Sequence, residues 1–198
     1  HLKAIKLFLE TNQPWCCILE DDLTLTKAFS DLMRDDANIL GDLGLDCLKV
    51  EYIPTSNSTK SKPFGRFLQA TRYGNAFSLN STCIGAGAYL LSRNGALKII
   101  DHLCPVEVPI DQLLFNRRYK LGTRLLRIGF LEHGLVRHNI DTVKSGIISN
   151  RKKSTLLSRR RLLNEFHKSI ERLRCYSLAL LKIHERVKIK PNSELSKR

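Results

Sequence analysis

An α/β fold, with a mixed or mainly parallel sheet flanked by helices, is what this sequence predicts. Two observations carry that expectation. Apolar runs of strand length alternate with stretches of helical periodicity, and prolines and glycines mark the boundaries between them. The 198 residues are 42% hydrophobic, enough for one compact domain, and 26% charged, which argues against a disordered chain. No apolar run approaches the ~20 residues needed to span a bilayer.

Leu2 to Glu10 carries Ala4, Ile5, Leu7, Phe8 and Leu9 and reads as a helix already in progress. Since residue 1 is His, the chain is expected to begin partway into a larger protein. Asn12-Gln13-Pro14 stops this helix, because proline disfavours a helical residue before it. Trp15 to Leu19 reads as a short buried strand that ends in three carboxylates. Thr24 or Thr26 is expected to cap a helix carrying Phe29, Leu32, Met33, Ile39 and Leu40, closed by Gly41. Cys47 to Ile53 alternates as a strand does, and residues 54–66 read as an exposed loop. Tyr73-Gly74-Asn75 sits between strands, either as an ordinary turn or as part of a ligand pocket.

Ile84 to Leu91 reads as a buried strand and Asn94 to Leu103 as a helix. Pro105 and Pro109 bracket a turn, Ile110 to Tyr119 reads as a short helix, and Thr123 to Ile128 as a strand. From about Leu156, the residues Leu162, Phe166, Leu173, Tyr176, Leu180, Ile183 and Val187 recur at helical spacing, with Arg and Lys over the other faces. Residues 151–198 hold 15 Lys and Arg against 4 Asp and Glu, most of the chain's net charge of +14. The expected division is therefore a near-neutral α/β unit over 1–150 and a basic helical tail over 151–198.

Six cysteines show no metal-site spacing, and buried free thiols are the expectation. The acids are more informative. Glu20-Asp21-Asp22 stand where a buried strand leaves the sheet, the edge at which α/β folds bind ligands. Packed carboxylates repel one another unless a cation neutralises them, and a hard divalent ion does so while keeping positions open for phosphate oxygens. An acidic entry to the next helix remains the other reading of the same three residues.

The segment Cys17-Ile18-Leu19-Glu20-Asp21-Asp22-Leu23 resembles the "LEDD" motif of glycosyltransferase family 25, taken as that family's metal and sugar-nucleotide site. Gly85-Ala86-Gly87-Ala88-Tyr89-Leu90-Leu91-Ser92 followed by Gly95-Ala96 is similar to its "G-x-x-A-Y-L-I-S…G-A" segment. Val108-Pro109-Ile110-Asp111 is similar to its "P-V-D" segment, and His1-Leu2-Lys3-Ala4 to the interior of its "S-H-x-x-A/W" helix. The resemblance covers about 115 residues and fades after Asn150. The strand and glycine-containing loop that the family places before this helix are absent from the sequence.

The resemblance implies an A-type, Rossmann-like glycosyltransferase and an inverting mechanism. Its substrates would be a UDP-sugar, galactose or glucose, and a lipopolysaccharide or lipooligosaccharide acceptor, with β-galactosyl transfer the leading expectation. Manganese, or else magnesium, would be held by Glu20 and Asp22. A late histidine completes such sites; His133 is the expected ligand, with His138 the other candidate. Donor contacts are expected from Asp21, Tyr73, Gly85, Ala86 and Gly87, though the two glycines would serve close packing equally well. Asp111 is expected to be the catalytic base or a helix cap. The tail would be a solvated helix or a peripheral anchor on an anionic membrane, at the cytoplasmic face of the inner membrane. The isoelectric point of 9.8 raises nucleic-acid binding as a competing function. Because the basic charge lies apart from the acids, no nucleic-acid partner is expected. A metal-dependent nuclease or phosphotransferase would use the same acids.

Overall fold

The computed structural model describes residues 1–35, 38–53, 63–83, 85–102, 109–116, 125–139 and 159–193. Along the chain, helix α1 (Leu2–Glu10) precedes strands β1 (Trp15–Leu19) and β2 (Leu23–Leu25), helices α2 (Lys27–Asp35) and α3 (Ile39–Asp42), and strands β3 (Cys47–Lys49) and β4 (Glu51–Tyr52). A hairpin of β5 (Phe64–Thr71) and β6 (Gly74–Leu79) leads to β7 (Ala88–Ser92), then helices α4 (Arg93–His102) and α5 (Ile110–Phe115). Strands β8 (Ile128–Leu131), β9 (His133–Gly134) and β10 (Val136–His138) are followed by helix α6 (Arg159–Leu180) and strands β11 (Glu185–Arg186) and β12 (Lys190–Pro191).

Seven strands form the main sheet in the order β1-β7-β3-β8-β6-β5-β11. Only β3 and β8 run parallel among its neighbours, so the sheet is mixed, and antiparallel pairing dominates it. Strand β7 shows why both faces must be covered. Its residues Ala88 to Leu91 are buried without a break, and alternation sends Tyr89 and Leu91 to one face and Ala88 and Leu90 to the other. The first face packs with Ile5 and Phe8 of α1, Ile99 of α4, and Leu114 and Phe115 of α5. The second packs with Phe29 and Leu32 of α2 and Ile39 and Leu40 of α3. Each such buried side chain contributes about 1.5–3 kcal/mol relative to exposure. The predicted mixed α/β sheet flanked by helices is the observed architecture.

Two small sheets accompany it, built from strands that follow β1, β3 and β8 in the chain together with β12. Strand β10 lies between β2 and β4, antiparallel to the first and parallel to the second, and β12 pairs with β9. Together with β11, these strands return residues 185–191 to the fold. The tail is thus not helical throughout. Helix α6 ends at Leu180, and Val187 and Ile189 are core residues rather than its continuation.

Several boundaries differ from expectation. Gly41 lies inside α3, and the turn comes at Gly44, whose φ of 62° suits glycine. The strand expected at 123–128 begins at Ile128, where pairing with Cys47 fixes it. Residues 64–66, read as loop, open β5. The turn at Pro105, Cys104 and most of the 54–66 loop lie outside the described residues. Cys16, Cys17, Cys47, Cys83 and Cys175 are free thiols.

Candidate functional site

Strand pairing gathers four segments at one corner. Because Leu19 pairs with Ala88, the chain leaves β1 beside Gly87, and the Glu20 N–H donates to the Gly87 carbonyl at 2.8 Å. Because Leu23 pairs with His138, the Asp22 carbonyl accepts from the Asn139 N–H at 2.9 Å. Thr24 Oγ1 donates to Asn139 Oδ1 at 2.6 Å and holds the same junction. Val136 pairs with Glu51, which places the first residue of β4 next to β10.

Here Glu20, Asp22 and His138 each offer one ligand atom, all within 4.8 Å of one another. His138 Nδ1 stands 3.7 Å from Asp22 Oδ1. That Asp22 oxygen is buried and has no hydrogen-bond partner among the described residues. An orphaned carboxylate oxygen beside an imidazole and a second carboxylate is a donor set that suits a hard or borderline divalent ion. Atoms sharing an ion at bond lengths of 2.0–2.6 Å lie up to about 4–5 Å apart, so the grouping fits such an ion closely.

The histidine in this group is His138, whereas the sequence pointed to His133. The two lie five residues apart on different strands. Leu135 separates β9 from β10, and His133 pairs with Lys190 of β12. Its ring lies against Gly74 instead, where a Cβ would stand 2.7 Å from His133 Cδ2. Tyr73 lies at the β5–β6 turn, 6% exposed, in the same apolar cluster as Phe29 and Leu32 of α2. The Arg72 guanidinium covers its ring at 4.8 Å. Asp21 is exposed beside the group.

The glycines pack tightly at this corner. Gly85 has a φ of 80°, and a Cβ there would stand 2.8 Å from Glu51 Oε1. A Cβ on Gly87 would collide with the His138 ring and stand 2.9 Å from Glu51 Oε2. Ala86, 3% exposed, belongs to the core.

Two residues the sequence reading passed over form the floor. Lys49 and Glu51 are 2% and 3% exposed and face each other as an ion pair. The signal was present: opposite charges two residues apart share one face of an otherwise apolar strand. Lys49 also donates to the Gly85 carbonyl at 2.6 Å and lies 4.2 Å from the Phe115 ring centroid. Glu51 Oε2 accepts from the Gly87 N–H at 2.9 Å and from His138 Nε2 at 2.7 Å. Burial alone would push the Glu51 carboxyl up, but the Lys49 ammonium and the His138 bond hold it below the usual carboxylate range. Burial would likewise pull Lys49 down, but the Glu51 charge, the hydrogen bond to it and the neighbouring Cys83 and Cys47 thiols together hold it above the usual lysine value. The hydrogen bond to Glu51 holds His138 up against its own burial.

On the other side of the group, His1 Nε2 lies 3.2 Å from Glu20 Oε1 and His1 Nδ1 lies 3.2 Å from the Tyr89 hydroxyl. Tyr89, expected as core, is fully buried, yet its hydroxyl reaches this chain of contacts. Phe115 of α5 meets the Tyr89 ring edge-on at 5.7 Å. Asp111 lies one turn before Phe115, in the first turn of α5, where it accepts from Gln112 Nε2 at 3.3 Å. Pro109 holds the N-cap position, so Asp111 is not the capping residue.

The corner therefore joins a cation-binding group to a buried charged floor at the carboxyl end of β1. No curated protein matches the chain. A sequence-family model does: glycosyltransferase family 25 (LPS biosynthesis protein) matches residues 1–114, which include α1, the acidic turn, Lys49, Glu51, the glycines and Asp111. With more than half of its length so matched, the chain belongs to glycosyltransferase family 25, the glycosyltransferases of lipopolysaccharide biosynthesis.

Proposed function

We propose that the protein transfers a hexose, galactose or glucose, from a UDP-sugar to a lipooligosaccharide or lipopolysaccharide acceptor with inversion at the anomeric carbon. The observation that carries this reading is the grouping of Glu20, Asp22 and His138 at the end of β1. These residues would hold a divalent cation, manganese or magnesium. When bound, the ion would offset the negative charge that develops on the departing diphosphate. Glu20 and Asp22 keep that corner anionic and draw the cation in. Asp21, exposed beside them, would meet the ribose, whereas Gly85 and Gly87 serve the close packing of Glu51 and His138. Asp111 would take the proton from the acceptor hydroxyl. The test is a panel of UDP-sugars with manganese, run on the full-length protein. Transfer of a hexose, lost on chelation, is the expected result. Cleavage of a phosphodiester without any sugar nucleotide would favour the phosphotransferase reading instead.

A second observation bears on where the acceptor is met. On α6, Phe166, Ile170, Leu173 and Leu180 are exposed and fall within an arc of about 80°. Cys175, on the opposite side, is buried and donates to the Asn80 carbonyl at 3.7 Å. Exposed Arg172 and Arg174 flank the apolar stripe on its two sides. No helix among the described residues is long and apolar enough to cross a membrane. An apolar stripe edged by cations suits a helix lying in an anionic interface, here the cytoplasmic face of the inner membrane. Replacing Ile170 and Leu173 together by Glu should lower binding to phosphatidylglycerol vesicles about 10-fold or more in a sedimentation assay. Transfer to a soluble acceptor analogue should persist. Unchanged vesicle binding would remove the anchor.

A further inference from the structure

We propose that Glu51, backed by Lys49, is a positioning residue that fixes the tautomer and aim of His138. The inference rests on the proposed role of His138 as a metal ligand. Both Glu51 oxygens are committed: Oε1 to the Lys49 ammonium, and Oε2 to the Gly87 N–H and His138 Nε2. A carboxylate only accepts, so His138 Nε2 carries the proton in that bond. In the neutral ring the lone pair then lies on Nδ1, the nitrogen that faces Asp22 Oδ1 at 3.7 Å. Metal-binding histidines are commonly oriented in this way by a carboxylate on their other nitrogen.

Lys49 completes the device. Buried to 2% exposure, it is held by the Gly85 carbonyl and the Phe115 ring, and it engages Glu51 Oε1, which leaves Oε2 to His138. The glycines make room for it, since a Cβ at Gly85 or Gly87 would press on the Glu51 oxygens. An ion pair with no further task could be replaced by apolar side chains with little loss. One whose free edge grips a ligand-bearing imidazole could not.

Two measurements separate positioning from a merely structural ion pair. In the metal-free protein, long-range nitrogen–proton NMR of histidine-labelled material should show neutral His138 protonated at Nε2 alone. Glu51→Gln should redistribute that proton between the two nitrogens, because the carboxamide can rotate to accept or to donate. The same variant should weaken manganese binding about 10- to 100-fold, read from the electron paramagnetic resonance of free manganese. Lys49→Met, which leaves the Glu51–His138 bond in place, should weaken it less at a similar loss of thermal stability. His138→Ala serves as the reference. If it leaves manganese affinity unchanged, the metal-ligand reading itself fails. If it weakens binding while Glu51→Gln does not, the positioning role alone is overturned. Should Glu51→Gln fail to fold, the wild-type tautomer still decides, and a ring protonated mainly at Nδ1 would sink the proposal.

Discussion

Replacing Asp22 by Asn should abolish manganese-dependent UDP binding, an affinity loss of about 100-fold or more, while the fold stays intact. The magnitude follows from the site: a change merely behind a ligand costs about 10- to 100-fold in metal affinity, and removing a charged ligand atom should cost at least as much. The persistence of the fold follows from the geometry. Asp22 is tied to Asn139 through its backbone carbonyl, which the substitution leaves untouched. Its buried Oδ1 has no hydrogen-bond partner among the described residues, so no such bond at that atom is lost. Removing one of three neighbouring negative charges relieves repulsion in the metal-free protein, which offsets the attraction lost between Asp22 and His138. The melting temperature without metal should therefore hold steady or rise, and manganese should no longer raise it. A variant that binds UDP normally with manganese would reduce the acidic turn to a feature of chain entry.

This contrast between ligand and scaffold explains what the sequence made legible. The bounds of strand β1 were readable to the residue because Pro14 bars a helix before it and three carboxylates cannot continue an apolar run. Its burial was not, since as an edge strand it buries only Ile18 and leaves Leu19 exposed. Strand β7 announced itself through its apolar segment, though it opens at Ala88 and not within the run expected from Ile84, because Gly85, with a φ of 80°, is not in extended conformation. Strand β5 did not, because Arg66, Phe67, Gln69 and Ala70 are exposed and its periodicity is correspondingly weak. The acids of the site were legible for a similar reason, being three charges in a row where packing should forbid them. Their histidine was ambiguous, because His133 and His138 differ only in which strand each one's neighbours pair with, a fact of tertiary register. Lys49 and Glu51 were hidden by strength of context: a fully neutralised buried pair leaves only an alternation pattern in sequence, and charged residues in such a pattern are more often read as facing solvent.

The second large effect concerns Asp111. An inverting transfer needs a group that takes the acceptor's proton as its oxygen attacks the anomeric carbon, on the face away from the departing diphosphate. Helix α5 is tied to the site through Phe115, which contacts both Tyr89 and Lys49, and the Phe115 carbonyl accepts from the Cys83 N–H at 3.0 Å. Asp111, one turn earlier on the same side of that helix, is only partly buried and stands outside the capping position. It is therefore available to a substrate in a way that the buried and fully bonded Glu51 is not. Asp111→Asn keeps the shape and the contact with Gln112 but cannot take the proton. Turnover should fall about 100- to 10,000-fold with UDP-sugar affinity nearly unchanged, measured by steady-state transfer beside donor calorimetry. Because the side chain caps nothing, the melting temperature should barely move, which separates this outcome from a folding defect. Near-normal turnover in the variant would take the base away from Asp111. Glu132 offers no substitute: it is engaged by Asn75 and Lys190, and the Lys190 bond holds its carboxyl below the usual range, so it is a poor proton acceptor.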